Sequence, residues 1–529
     1  MTGIDGAVSD TPKNDRVFVM EGLCQPARSA SRGWFFEMAA YLTIASILLS
    51  WVALYNGAPL VFSDTISYAL AAYEGQVPGM YSMFYSLFIL PLHWGVSFWP
   101  IVFGQGGIIA HLLYLTARFT LPGISPAIML LVIAGLCVFS SLPWITGEIL
   151  PDVFTPVVLL GIFLLAWGDD RLSRPEMLYV GILTTFAIST HLSHAPIAIG
   201  LIVLALLIRV FVFRDQIRIG RLALMLTAPV AIALTLMMGV NWLSSKQLVL
   251  ARNGNVFLLA KWIEEGPALS YLQGACPESD YALCAHLDEL KDASHDYLKW
   301  GENSPFQKVG GFDALEPEAR TIVRRTLFAY PDDILQYMVL DIGRQLTRFG
   351  AGDGLSPDFA GMVAEQVSRV FGPSVGSTFV SSKQGRDLLP IDSFRSLHLI
   401  GLAAGATLCV LALLTRRGEL PRELIALYAF IFLGVLWNAA ITGGLSGAYD
   451  RYLARVIWLV CFAGLLTVIR LHRLKRLRIF DSMLLHLGGQ CSGQAPRRLL
   501  QRDIACERCY QLKLISQHEI EHKPDGEAY

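Results

Sequence analysis

Residues 56–99 read NGAPLVFSDTISYALAAYEGQVPGMYSMFYSLFILPLHWGVSFW and contain no Lys or Arg. The carboxylates in this stretch are Asp64 and Glu74, and Asp64 sits among Ser63, Thr65, Ser67 and Tyr68. A strongly apolar run, 34–55, precedes it, and aromatic residues crowd both sides of the acid. Aromatic rings collect where a membrane meets water, so Pro91, His93 and the stretch from Trp94 to Trp99 mark 81–98 as an interfacial helix and not a span. Asp64 in a hydroxyl-rich loop at such a surface has two readings. It caps the amphipathic helix starting near Thr65, or it forms the floor of an active site.

The rest of the chain agrees with a membrane setting. Of 529 residues, 54% are hydrophobic and only 16% charged, whereas soluble domains carry about a quarter charged residues. The fold class is therefore an all-α polytopic membrane protein. Spans need about 20 apolar residues. Suitable runs fall at 34–55, 99–117, 124–143, 153–167, 177–191, 196–213, 222–243, 397–415, 423–441 and 453–471, a bundle of about ten transmembrane helices. The first run is too long for the core of a cleavable signal, so it reads as an uncleaved anchor. A net charge of −1 argues against nucleic acid as a partner.

Lys and Arg gather on the cytoplasmic side of membranes. With Lys13, Arg16, Arg28 and Arg32 inside, the inner loops carry Arg118; Arg171 and Arg174; Arg209, Arg214, Arg218 and Arg221; Arg416, Arg417 and Arg422; and Arg470, Arg473, Lys475 and Arg476. The short outer loops then carry only Arg451. This split places both termini in the cytoplasm of a bacterial-type inner (plasma) membrane. It divides the chain into a cytoplasmic tail (1–33), helices 1–7 with an interfacial first outer loop at 56–98 (34–243), a mostly helical periplasmic domain (244–396), helices 8–10 (397–478) and a polar cytoplasmic tail (479–529). In the oxidising periplasm Cys276 and Cys284 favour a disulfide over two buried thiols. In the tail, Cys506, Cys509, His518 and His522 have zinc-ligand chemistry, but the spacer is short. No internal repeat of the kind found in inverted-repeat transporters is visible.

Ionisable groups at membrane depth point to function by default, and four sets meet at the outer surface of this topology. The first is Asp64. The second, Gly147-Glu148-Ile149-Leu150-Pro151-Asp152, offers two acids, with capping of the next helix as the bland role of Asp152. The third holds His191 and His194, three apart beside Ser189 and Ser193, a pair able to bind phosphate, share a metal with a carboxylate, or simply hydrogen-bond in the core. The fourth runs from Asn438 to Arg455, where a Gly-rich turn leads to Arg451, Tyr452 and Arg455. Guanidinium forks match phosphate, while pairing with a helix-end carboxylate is the competing explanation.

This pattern resembles the GT-C superfamily of integral-membrane glycosyltransferases, which includes the protein O-mannosyltransferases and the lipid A aminoarabinose transferase. The matching motifs are Asp64 in FSDTISY, Asp152 in EILPD and the Arg451-Tyr452 pair opening a late span. The acid pair often seen in the first loop of that family is absent, since Thr65 follows Asp64. The resemblance implies an inverting transfer of a sugar from a polyprenyl-phosphate donor to a hydroxyl of a lipid, glycan or protein acceptor. It assigns Asp64, Asp152 and Glu148 to catalysis, and Arg451, Arg455, Tyr452, His191 and His194 to phosphate and substrate. No cofactor is demanded, and use of a divalent metal stays open. The alternative is a multi-pass transporter or lipid flippase, which also needs polar groups facing a cavity.

Overall fold

The computed structural model describes residues 32–168, 171–213 and 219–486. Lys13, Arg16, Arg28, Arg214, Arg218 and the Cys506–Cys509–His518–His522 set lie outside the described residues. The chain forms two compact units, Met1–Ala39 with Ile469–Tyr529, and Ala40–Val468. The described parts of the first, 32–39 and 469–486, are helical, and the site described below lies in the second. Among the described residues the regular structure is helical, with one isolated parallel bridge, Leu60 to Glu148, outside the helices.

The helices used below run in chain order. They are α1 Arg32–Leu49, α2 Trp51–Asn56, α3 Thr65–Ala71, α4 Met83–His93, α5 Trp99–Thr120, α6 Pro126–Phe139, α7 Leu142–Gly147 and α8 Thr155–Trp167. Next come α9 Arg174–Thr190, α10 His194–Leu207, α11 Ile219–Ser245, α12 Gly254–Glu265, α13 Gly311–Ala329, α14 Pro331–Thr347 and α15 Pro357–Phe371. The last are α16 Ile391–Arg416, α17 Arg422–Leu445, α18 Asp450–Ile457 and α19 Leu459–His486.

Six segments are long and apolar enough to cross a membrane: Trp99–Thr120, His194–Val212, Ile219–Ser245, Ile391–Glu419, Arg422–Leu445 and Asp450–Arg476. They match six of the ten expected spans. Two others are each broken in two. The run 34–55 breaks at Ser50, whose hydroxyl donates to the Ser46 carbonyl at 2.9 Å. The run 124–143 breaks at Ser140, where the backbone turns extended (φ −148°, ψ 166°) and the hydroxyl donates to the Leu136 carbonyl at 2.6 Å. Pro143, three residues on, cannot continue the helical ladder through the second break. Mean hydropathy is blind to it. The stretch expected to be interfacial contains α4, 11 residues with Pro91 inside.

The segment expected to form an outer domain, 244–396, is helical and has a core of its own. Val256, Leu259 and Ile263 of α12 pack with Leu315, Ala319 and Ile322 of α13 around Phe306. Cys276 and Cys284 form the expected disulfide. Helix α14 lies along α17, and Gly443 makes this approach possible. A Cβ there would sit 2.7 Å from the Asp341 carbonyl oxygen. The segment 244–396 is thereby seated on the helix that leads into Arg451.

Candidate active site

Asp64 stands at the N-cap position of α3 yet makes no side-chain cap. The turn is held by its neighbour. Thr65 Oγ1 accepts from the Phe62 N–H at 2.9 Å and donates to the Ile149 carbonyl at 3.1 Å. Asp64 Oδ1 is left to accept from Tyr81 OH at 3.0 Å and Ser63 Oγ at 3.2 Å. Its Oδ2 lies 3.7 Å from Arg451 Nη1. Burial and the facing Asp64 carboxylate raise the Tyr81 phenol above its ordinary value, so it stays protonated as a donor. The capping reading of Asp64 does not describe this geometry.

The loop between α7 and α8 is tied to the same place. Leu60 N–H donates to the Gly147 carbonyl at 2.9 Å, and Ile149 N–H donates back to the Leu60 carbonyl at 3.0 Å. Gln105 Nε2 donates to the carbonyls of Thr146 and Glu148 at 3.1 and 2.9 Å. Glu148 is buried, and its Oε1 has no hydrogen-bond partner. Burial first, and neighbouring Asp152 second, push its carboxyl well above the usual carboxylate range. Asp152, on a short 3₁₀ turn from Pro151 to Phe154, accepts from Arg455 Nη1 at 2.8 Å.

Arg451 and Arg455 share one face of α18, as the i, i+4 spacing requires, but they do different work. Arg455 is fully buried. Besides Asp152 it donates from Nη2 to Asn438 Oδ1 at 3.1 Å and Ser193 Oγ at 3.3 Å. The internal pairing weighed against phosphate binding is thus what engages Arg455. Arg451 is packed over Phe62, 4.3 Å from the ring centroid, and over Tyr452 at 5.0 Å. Its side chain is 17% exposed, and that of Asp64 18%. Its backbone N–H donates to Asp353 Oδ2 at 3.1 Å. Tyr452 OH reaches Ser446 Oγ at 3.1 Å and Arg451 Nη2 at 3.4 Å.

The two histidines also divide. His194 is buried with both ring nitrogens engaged, Nδ1 donating to the Ala187 carbonyl at 2.7 Å and Nε2 meeting Thr155 Oγ1 at 2.8 Å. It braces α8, α9 and α10. His191 Nδ1 accepts from the Ser193 N–H at 3.1 Å, which leaves the ring proton on Nε2. All four polar sets therefore meet: Asp64 with Arg451, Asp152 with Arg455, and Ser193 beside His191 with Arg455. Tyr81 and Asp353 belong to the site and were missed. Tyr81 is one of many aromatics in the stretch read as interfacial, and Asp353 lies in a Gly-rich polar loop, so neither stands out from its neighbours.

No family model matches this chain, and no curated protein or solved structure matches it significantly. The arrangement itself offers a partly open carboxylate, a stacked guanidinium beside it, and a buried acid whose carboxyl is pushed well above the usual carboxylate range. Among the described residues no three His, Cys, Asp or Glu side chains are grouped as metal ligands. The raised Glu148 carboxyl carries a pH signature. Folding must protonate it above its ordinary value of 4.5, so its contribution is complete below that pH and is lost as pH climbs toward the folded value. Glu148→Gln removes that proton uptake. Its unfolding free energy, relative to wild type, is expected to rise as pH increases from 4.5, with a slope of at most about 1.4 kcal/mol per pH unit. A difference that stays flat with pH would refute the buried neutral acid.

Proposed function

We propose that the chain is a membrane glycosyltransferase of the GT-C type, moving a sugar from a polyprenyl-phosphate donor to an acceptor hydroxyl at the outer face of the inner membrane. The observation that carries this reading is the position of Asp64. Its carboxylate is not spent on its own helix but held half-open by Tyr81 beside Arg451. The ten-span topology expected from the sequence, with both termini inside, would put this cluster at the outer surface. The lipid, glycan or protein nature of the acceptor follows from the resemblance alone.

The chemistry needs few parts. The acceptor oxygen attacks the anomeric carbon as its proton passes to Asp64, and the bond from that carbon to the phosphate oxygen breaks with its electron pair. Attack from the face opposite the leaving group inverts the anomeric centre. A lipid phosphate leaves as a stable anion, so a base and a cation suffice. Arg451 takes the phosphate. Its aromatic platform fixes the plane of the fork while the contact to Asp64 stays loose. Arg455 and Asp152 hold the floor of the site.

The test is ligand-dependent stability. Polyprenyl phosphate at 100 times its dissociation constant should stabilise the detergent-solubilised wild type by about 2.7 kcal/mol. Arg451→Ala should lose that shift while melting near wild type without ligand. A shift that survives in Arg451→Ala would remove the phosphate role from Arg451. A lipid flippase would share the phosphate site, so turnover in an Asp64 variant separates the two readings.

A further inference from the structure

A helix on the surface of a water-bathed domain turns an apolar face inward and a polar face outward. Helix α14 has a third. Ile334, Asp341 and Gln345 are buried and form the inner face, with Asp341 and Gln345 set against Gly443 of α17. Leu335, Val339 and Leu346 form a second, exposed face, Leu335 being 61% and Val339 60% accessible. Helical geometry puts these three within about 40° of one another. The polar face is the third. Arg344 stands about 180° from Leu335; it is exposed and donates to Asp341 Oδ1 at 2.9 Å. Exposed Arg348 follows and donates to the Ala448 carbonyl at 2.7 Å. Asp332 and Asp333 lie in the first turn, where the helix dipole favours them, and the apolar face from Leu335 onward carries no charge.

The place of α14 says what covers that face. Helix α17 has 24 residues and is one of the six apolar segments long enough to cross a membrane. It is about 36 Å long, against about 30 Å for a hydrocarbon core, so its last turn reaches headgroup depth. Gly443 and Gly444 are in that turn. A Cβ at Gly444 would stand 3.2 Å from Met338 Cε of α14, and Leu445 beside it is exposed. Leu327 and Phe328, on the last turn of α13 just before α14 begins, are exposed as well. Large apolar side chains gathered in the open mark an interaction surface.

We propose that α14 is an interfacial helix whose Leu335–Val339–Leu346 face lies among the acyl chains of the bilayer leaflet that meets the C-terminal end of α17. Amphipathic helices at that depth bury the apolar face and keep cationic side chains at the headgroups, which is where the long stems of Arg344 and Arg348 reach. The segment 244–396 is then held by the membrane as well as by α17. The same helix holds the turn before Arg451, since Gln345 Nε2 donates to the Tyr449 carbonyl at 2.8 Å and the Tyr449 N–H donates back to Gln345 Oε1 at 3.1 Å. The inference rests on α17 crossing the bilayer and on no assumption about the reaction.

The full chain is reconstituted in phospholipid nanodiscs with an environment-sensitive fluorescent amino acid placed at Val339 in one preparation and at Arg344 in another, each used if it melts with wild type. Nitroxides on the lipid acyl chains near the glycerol are expected to quench the Val339 probe several-fold more than the Arg344 probe, and iodide in the water to quench them in the opposite order. Probes at Leu335 and Arg348 repeat the comparison should either of the first pair fail to fold. Iodide quenching at Val339 as strong as at Arg344 overturns the proposal and returns this face to water. A Val339 probe shielded from both quenchers overturns it too, the outcome expected if a second copy of the chain covers α14. Neither result bears on the Asp64 reading, which ligand binding and turnover test separately.

Discussion

Asp64→Asn is expected to lower sugar transfer by about 10²–10⁴-fold, the usual contribution of a general base, while the protein stays folded. Asn keeps the shape and one acceptor oxygen for Tyr81 and Ser63, whose bonds to Asp64 are 3.0 and 3.2 Å. What it lacks is basicity. No cap is lost, because Asp64 makes none. The contact to Arg451 is 3.7 Å long and partly exposed, and pairs of that kind contribute about 0–1 kcal/mol. The measurement pairs transfer from a polyprenyl-phosphate sugar with a melting curve of the same preparation. Full transfer by a normally folded Asp64→Asn would end the mechanism, whatever the phosphate experiment shows.

Arg455→Met is expected to do the reverse, damaging the fold itself. It leaves Asp152 buried without its cation and strips donors from Asn438 and Ser193. Breaking a buried ion pair by removing one partner costs about 3–5 kcal/mol, because the remaining charge has lost its compensation. Adding Asp152→Asn to Arg455→Met should recover part of the loss, since the stranded charge is gone. Denaturant or thermal unfolding of the two variants beside wild type checks both statements. If Arg455→Met melts with wild type, or if the second substitution deepens the loss, the pair is not the brace described.

Residues whose chemistry clashes with their surroundings were legible from sequence. Asp64, Asp152 and Arg455 stand out because a charge in an apolar stretch is costly and needs a reason. Their pairing was not legible. Arg455 meets Asp152 across 303 residues, and no local pattern encodes a contact of that range. Six spans were readable from hydropathy, whereas the breaks at Ser50 and Ser140 are local departures that mean hydropathy does not register. Asp353 lies in a Gly-rich polar loop, and its service to the Arg451 N–H is set by the seating of α14 on α17. For His194 the sequence left a ligand-facing role and a hydrogen-bonded place in the core both open, and the core holds it through Thr155 and Ala187.

The Arg455–Asp152 pair also has a consequence in time. A ribosome adds about 5–20 residues each second, so the partner of Asp152 is synthesised roughly 15–60 s after it. Throughout that interval the carboxylate has no guanidinium to face, and a bare charge among apolar helices is too expensive to hold. The α7–α8 turn must therefore wait at the wet surface or carry a proton until α18 arrives. The N-terminal helices inserted first form an unfinished vessel, closed by the last part of the bundle to be made. Chains cut short before α18 should consequently be cleared by proteolysis and not accumulate as a stable half-bundle.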